Sequence, residues 1–400
     1  MAFVLKDPVG DSPGIIIFTH KERLFLDCNV PPVKKALSEL RKHYVFGMHW
    51  GAHHPNVSPP TIIDFHLAGP GTVSFARPVR HIPLCSRNFT PACFKPASLP
   101  KYWDVINISR PIRQKRLDDF FQVIRRVYDQ GHLLRVLLLC PWPPRMDDPS
   151  WWYRELEGDY LRMFSESERQ YFSLMRLQHG PVGAFPLPQE TIAYFYNVSK
   201  FFCLFSEHEG ESRVIAEALL CGLPVVVRET LLGGGRDYLT PENSRTFSSL
   251  DEAAEQFIEI ANNHHHYSFD TSKLEIELSE RHTKSKLQRA LQGLFHELGY
   301  PFLGEPRLDK LDRRLPGHEV NLPAHLRADE TNDLRSLEAT LLYARQISGL
   351  SITRSAQLWA RSWDRLAAAR RIGKQTLRWA QRRLSLTGGG SRASAHLAHE

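Results

Sequence analysis

The sequence predicts an α/β protein built on a doubly wound parallel sheet, with a smaller α/β lobe before it and a helical extension after it. Two observations carry this. Between residues 104 and 262, short apolar runs alternate with stretches of helical periodicity, the pattern of strands joined by crossover helices. Within that region Leu133–Cys140 is apolar at nearly every position, as a strand covered by helices on both faces must be.

Taken in order, Val105–Ile108 reads as a strand, Leu117 to Tyr128 as a helix, Leu133–Cys140 as a second strand and 155–177 as an amphipathic helix. Strands at Val182–Phe185, Phe201–Phe205 and Pro224–Val227 then alternate with helices at 189–197, 213–221 and 251–262. Ahead of this unit, Gly14–Phe18, His43–Phe46 and Thr61–Phe65 are short apolar runs between proline- and glycine-rich turns, with a helix near 31–42. The division expected is a small lobe over 1–97, the main domain over 98–270, a charged helix and connector over 271–330, and a basic helical tail over 331–400 with a disordered end.

A 42% hydrophobic and 24% charged composition is that of a folded protein. Residues 351–383 hold nine Arg or Lys against the single acid Asp364, a surplus of eight on a chain whose net charge is +7. The remainder therefore carries −1, and nothing in it implies nucleic-acid binding. Six cysteines without CxxC spacing read as reduced thiols. No stretch approaches a membrane span and no leader is visible, so a cytoplasmic location is expected.

In a parallel α/β domain ligands bind beyond the carboxyl ends of the strands. One such loop, Ser206-Glu207-His208-Glu209-Gly210-Glu211-Ser212-Arg213, runs from a strand directly into a helix. The free N–H groups and partial positive charge of that helix end suit a diphosphate; Gly210 admits a close backbone approach and Ser212 is placed to cap the helix. Glu209 and Glu217, one in the loop and one a turn into the helix, are placed to accept hydrogen bonds from hydroxyls on either side of the diphosphate.

Together with Val214 to Val227, this segment resembles the donor-site signature of retaining GT-B glycosyltransferases, family four. Ser109-Arg110-Pro111-Ile112-Arg113-Gln114-Lys115 resembles the same family's loop whose Arg and Lys hold the donor diphosphate, with Ser109 where glycine is usual. Val182 to Glu190, with Gly183 and Phe185, resembles the stretch that holds the nucleotide base, and Gly233-Gly234-Gly235-Arg236-Asp237 the small-residue loop near the sugar. The resemblance covers about residues 80–262. It implies a retaining hexosyltransferase acting on a nucleotide sugar, with Glu209, Arg110 and Lys115 catalytic and Glu217, Gly210, Glu211, Ser212, Arg213, Gly183, Phe185 and Gly234 binding the donor. A glycan, lipid-linked sugar or small molecule would be the acceptor, and neither a cofactor nor a metal is implied.

Fewer than a hundred residues precede the linker at Ile82–Pro91, too few for a full six-stranded acceptor sheet with its helices. His49, His53, His54 and His66 are the candidates for a histidine facing the sugar. The adjacent His264, His265 and His266 point in different directions and lack a carboxylate cluster, which argues against a metal site. In the tail, Trp359, Trp363, Leu366, Leu377 and Leu384 share one helical sector and Arg361, Arg365, Arg371, Arg378 and Arg382 lie outside it. Such a helix over 354–386 suits an anionic membrane surface, and equally packing against the body or a second copy. Two rival functions are a non-catalytic sugar-nucleotide-binding or scaffold protein and a nucleotide-sugar epimerase.

Overall fold

The computed structural model describes residues 2–20, 23–27, 31–141, 153–177 and 187–315, together with 333, 334, 339, 342, 343, 346 and 361. The first lobe contains Ala2–Lys6 (β1), Gly14–Thr19 (β2), Arg23–Leu26 (α1), Pro31–Arg41 (α2), Tyr44–His49 (β3), His54–Val57 (β4), Phe65–Leu67 (β5), Val73–Phe75 (β6) and His81–Ile82 (β7). Strands β2, β3, β5 and β7 are parallel in that order, β1 joins β2 antiparallel, and β4 pairs separately with β6. β1, β2 and β3 are buried at every position, so both faces of this sheet are covered. Val33, Ala36, Leu37 and Leu40 of α2, spaced three and four apart, pack with Val4, Ile16, Phe18 and Phe46 on one face.

The second lobe begins at Trp103–Ile108 (β8) and continues through Leu117–Asp129 (α3), Val136–Pro141 (β9), Tyr153–Met163 (α4), Phe172–Leu177 (β10), Gln189–Asn197 (α5), Ser199–Leu204 (β11), His208–Glu211 (β12), Arg213–Leu220 (α6), Val225–Arg228 (β13), Leu232–Gly234 (β14), Ser244–Phe247 (β15) and Leu250–Asn263 (α7). Its sheet is parallel throughout with the order β10-β9-β8-β11-β13-β15. Strand order reverses between β8 and β11, the position at which a parallel α/β sheet commonly places its ligand crevice. One core gathers Phe120, Phe121, Val136, Phe201, Phe205 and Phe257 on one face, and another gathers Ile106, Leu137, Phe202, Ile215 and Leu219 on the other.

The chain then returns through Ser272–Leu278 (α8), Glu280–Glu297 (α9), Leu311–Arg314 (α10) and Asp333–Leu334 (β16). This return corrects the expectation that the first lobe is too short for six strands. β16 pairs antiparallel with β1 as a sixth strand. Leu287, Leu291, Leu294 and Phe295 of α9 pack against Phe3, Leu5, Ile15 and Ile17, the alternate residues of the strands that α2 covers on the other side. Both faces are closed by material from the two ends of the chain.

A second correction concerns 155–177, read as one helix. The helix stops at Met163, the backbone N–H and hydroxyl of Ser165 donate to Glu168, and Phe172–Leu177 is the edge strand beside β9. Its solvent-facing Arg176 and partly covered Ser173 give it the polar content of an edge, which mimics a helical surface. The strand expected at Val182–Phe185, with Gly183 and Phe185, lies outside the described residues, as does the basic helix at 354–386 apart from Arg361. Among the described residues no helix is long and apolar enough to cross a membrane.

Candidate active site

Two loops meet at the crevice. The first leaves β8 through Ser109 and Arg110 and tightens into a single turn at Arg113–Lys115. Arg116 follows in the left-handed region at φ 47°, where its side chain is held by Glu207 at 2.5 Å and Asp119 at 2.8 Å. This turn delivers the Lys115 ammonium to Glu209 Oε1 at 2.5 Å, a pair in which both side chains are largely buried. Gln114 Nε2 donates to the His208 carbonyl at 2.7 Å, a further tie between the loops. Arg110 is an exposed residue whose side chain makes no hydrogen bond among the described residues; desolvation of its guanidinium lowers its pKa, and the Glu209 charge opposes this.

The second loop leaves β11 through Ser206 and reaches α6 by way of β12. Glu217 lies on α6 with its carboxylate buried, accepting from the Tyr196 hydroxyl at 3.4 Å and pairing with Arg213 at 3.5 Å. Burial pushes its pKa above the ordinary carboxylate value, and the Arg213 charge offsets part of this. Arg213 also reaches Asp312 at 3.4 Å, so this side chain is tied to the returning chain.

The hydroxyls of Ser109, Ser206 and Ser212 are buried and have no hydrogen-bond partner among the described residues. Ser109 and Ser206 follow the adjacent strands β8 and β11, and Ser212 stands at the start of α6. Buried polar atoms are ordinarily paired, so three open ones on these loops make them the candidate ligand site. Ser212 does not cap α6 with its side chain, contrary to expectation, and its hydroxyl is open for that reason.

Three of the residues expected at the donor have close neighbours in the first lobe or the linker. Gly210 was expected to let a diphosphate approach; a Cβ there would instead lie 2.4 Å from the Gly51 carbonyl oxygen and 2.7 Å from Ala52 Cα, so its close neighbour is the first lobe's backbone. Gly234 is packed in the same way, against Arg87 and the Gly210 carbonyl. Glu211, expected at the donor, turns toward the first lobe. Its carboxylate is buried and accepts from His49 Nε2 and from the Ser86 hydroxyl. β12 pairs irregularly with β14 between Glu209 and Glu211.

The other candidate histidines have local partners. His53 Nδ1 is 3.3 Å from the Gly71 carbonyl, and the His54 ring meets Trp50 edge-on. His66 accepts from Trp50 Nε1 at 2.9 Å, and burial, with the nearby His81 and Arg77 charges, lowers its pKa to about 4. Sequence reading passed over Ser86 and Arg87. The Arg87 guanidinium is fully buried, donates to both Asp237 oxygens at 3.0 and 3.1 Å and to the Pro70 carbonyl at 3.2 Å, and lies over Tyr238. An arginine inside a proline-bounded linker, and an aspartate closing a three-glycine loop, were the available signals.

The crevice therefore offers cations, open hydroxyls and a helix N-terminus to an anion, and two carboxylates to hydroxyl groups beside it. The folded chain has a GT-B-like α/β fold. Among solved structures it is similar to sucrose-phosphate synthase from Thermosynechococcus elongatus, with 13% identity over 71% of this chain and 74% of that one and a TM-score of 0.50. It is also similar to TarM, at 15% identity over 70% of this chain and TM-score 0.48, and spans only 54% of TarM's length. The lipopolysaccharide outer core galactosyltransferase WaaB is 16% identical over 65% of this chain and 71% of its own, with a TM-score of 0.41. The likeness is one of fold. No family model and no curated protein matches the sequence.

Proposed function

We propose that this chain is a retaining hexosyltransferase of family four that moves a sugar from a nucleotide-sugar donor to a glycan, lipid-linked or small-molecule acceptor. One observation carries the reading: the loops at the switch point of a parallel sheet hold the Lys115–Glu209 pair, Arg110 and three buried hydroxyls that have no partner among the described residues.

In this reading the donor diphosphate lies in the crevice and gathers negative charge as the bond to the sugar breaks. Arg110 and Lys115 stabilise that charge from fixed positions, an effect worth about 10²–10³ in rate for one such donor. Glu209 and Glu217 accept from hydroxyls on opposite sides of the diphosphate, one set on the sugar and the other on the ribose. Retention follows if the acceptor attacks on the face the diphosphate leaves, with a diphosphate oxygen taking the acceptor's proton. Residues 354–386 would hold the protein to the cytoplasmic face of an anionic membrane, where a lipid-linked acceptor is delivered.

A second reading, a protein that binds sugar nucleotides without turnover, is favoured by the seating of Gly210 against Gly51 and Ala52, which closes the first lobe onto the donor loop. Calorimetric titration with UDP, GDP and ADP tests the binding common to both. One of the three should bind, with affinity about tenfold or more weaker in Lys115→Ala, the loss of one charge-assisted contact. Absence of binding to all three contradicts both readings.

A further inference from the structure

A cavity of about 400 Å³ lies in the first lobe, between the stretches that lead into β5 and β7, and its wall includes Thr61, Asp64, His66, Arg77 and Arg80. These stretches stand at the amino ends of parallel strands, whereas the second lobe reaches His49 and Gly51 at the carboxyl end of β3. The cavity is therefore separate from the crevice. Its polar side chains are mostly donors. Arg77 gives Nη2 to the Pro59 carbonyl at 3.3 Å, which fixes its place, and its other nitrogens make no hydrogen bond among the described residues. Arg80 has a loose ion pair with Glu297 at 3.5 Å, in which both side chains are half exposed or more. His66 is buried; its Nδ1 accepts from Trp50 Nε1 at 2.9 Å, and burial keeps the ring neutral at pH 7, so the ring proton sits on Nε2. That N–H makes no hydrogen bond among the described residues. Asp64, the acid in the wall, is already committed, Oδ1 accepting from Arg41 at 2.7 Å and Oδ2 from the Phe46 N–H at 2.8 Å.

We propose that this cavity is a second ligand site, taking a small molecule that bears a phosphate, with Arg77 and Arg80 on the phosphate oxygens and the His66 Nε2–H donating to an oxygen of the same ligand. Two guanidinium groups beside a buried donor without an acceptor make a place for an anion with several oxygens. Asp64 does not oppose it, because Arg41 already balances its charge. A bound phosphate would draw Arg80 from Glu297, exchanging a loose exposed pair for a closer one. Inorganic phosphate and a sugar phosphate offer the same oxygens; the volume, within the roughly 300–1,000 Å³ of small-molecule sites, favours the larger ligand. Occupancy of this site does not depend on the donor reading, since none of its residues touches the crevice loops.

Spectra of the full chain carrying 13C at histidine Cε1 test this at pH 7, with glucose 1-phosphate, glucose 6-phosphate and inorganic phosphate as probes. The His66 resonance is identified by its loss in His66→Gln, a variant that keeps an acceptor for Trp50 Nε1. At least one sugar phosphate should shift this resonance saturably, and inorganic phosphate should do so only at higher concentration. Phosphate held by the basic residues of 351–383 would leave His66 unmoved, so the signal reports this cavity. Arg77 and Arg80 are exposed, so Arg77→Gln and Arg80→Gln should keep the fold, and each should weaken the affinity about tenfold, the loss of one charge-assisted contact. A His66 resonance that none of the three probes moves, or an affinity unchanged in both arginine variants, overturns the site. Equal affinity for inorganic phosphate and both sugar phosphates overturns the assignment to a phosphate-bearing small molecule and leaves the ion alone.

Discussion

Lys115 and Glu209 are 94 residues apart in sequence, and their charged groups are 2.5 Å apart across the crevice. The contact joins the loops that leave β8 and β11, the two strands at which sheet order reverses. In the proposed function the cation meets the donor phosphates and the carboxylate the donor sugar. On that proposal, donor binding exchanges one charge-assisted pair for two.

Removing Lys115 should therefore cost function and stability together. Lys115→Ala is expected to lower donor turnover by about 10²-fold, the cost of one fixed charge at a developing anion. Both side chains are largely buried, so the variant strands the Glu209 carboxylate and should also lose about 3–5 kcal/mol of unfolding free energy. Kinetics on protein that urea titration shows to be folded check this; wild-type turnover in the folded variant would count against it.

Glu217 makes the opposite trade. Burial raises its pKa, so the folded chain holds this proton more tightly than the unfolded chain does. Stability from that proton is present below the unfolded value and lost as pH rises through the folded one, leaving the ionised buried form disfavoured at neutrality. Glu217→Gln should accordingly raise the unfolding midpoint at pH 7, with the gain shrinking toward pH 4, while donor turnover falls. Thermal unfolding across that range reads the effect directly, and an equal gain at both pH values would refute the assignment to Glu217.

Glycine positions give a contrasted pair. At Gly210 a Cβ would strike first-lobe backbone at 2.4 Å, so Gly210→Ala must displace the loop of Gly51 and Ala52, at about 1–3 kcal/mol for such overpacking. Gly293, within α9, meets nothing within 4 Å, and Gly293→Ala should stabilise by about 0.5–1 kcal/mol through helix propensity alone. Denaturant titration of the two variants against the wild type should show opposite signs.

Arg87 and Asp237 form an asymmetric pair, because the guanidinium is fully buried and the carboxylate is about a quarter exposed. Asp237→Ala strands a buried cation and should cost about 3–5 kcal/mol. Arg87→Met leaves a carboxylate that reaches water, and should cost less. A reversed order in chemical denaturation would contradict the geometry.

The second lobe was largely legible because its information is local. Leu133–Cys140 announces a doubly covered strand, and the segment from Ser206 to Val227 states loop, helix and strand in succession. The first lobe was less so, because its second face comes from α9 and its sixth strand from Asp333–Leu334, hundreds of residues along the chain. Nothing in the spacing of Leu287 and Leu291 says which sheet they cover. Glu211 shows the same limit at the scale of one side chain: the sequence places it in the right loop, but its direction is set by His49 and Ser86, which only the folded chain brings to it.

Mass-spectrometric detection of nucleoside diphosphate released from a panel of UDP-, GDP- and ADP-sugars, by the wild type and by Glu217→Ala, tests the donor-site assignment at its source. The account predicts slow release from one donor and its loss in the variant. A wild type that neither binds nor turns over any member of the panel would contradict it.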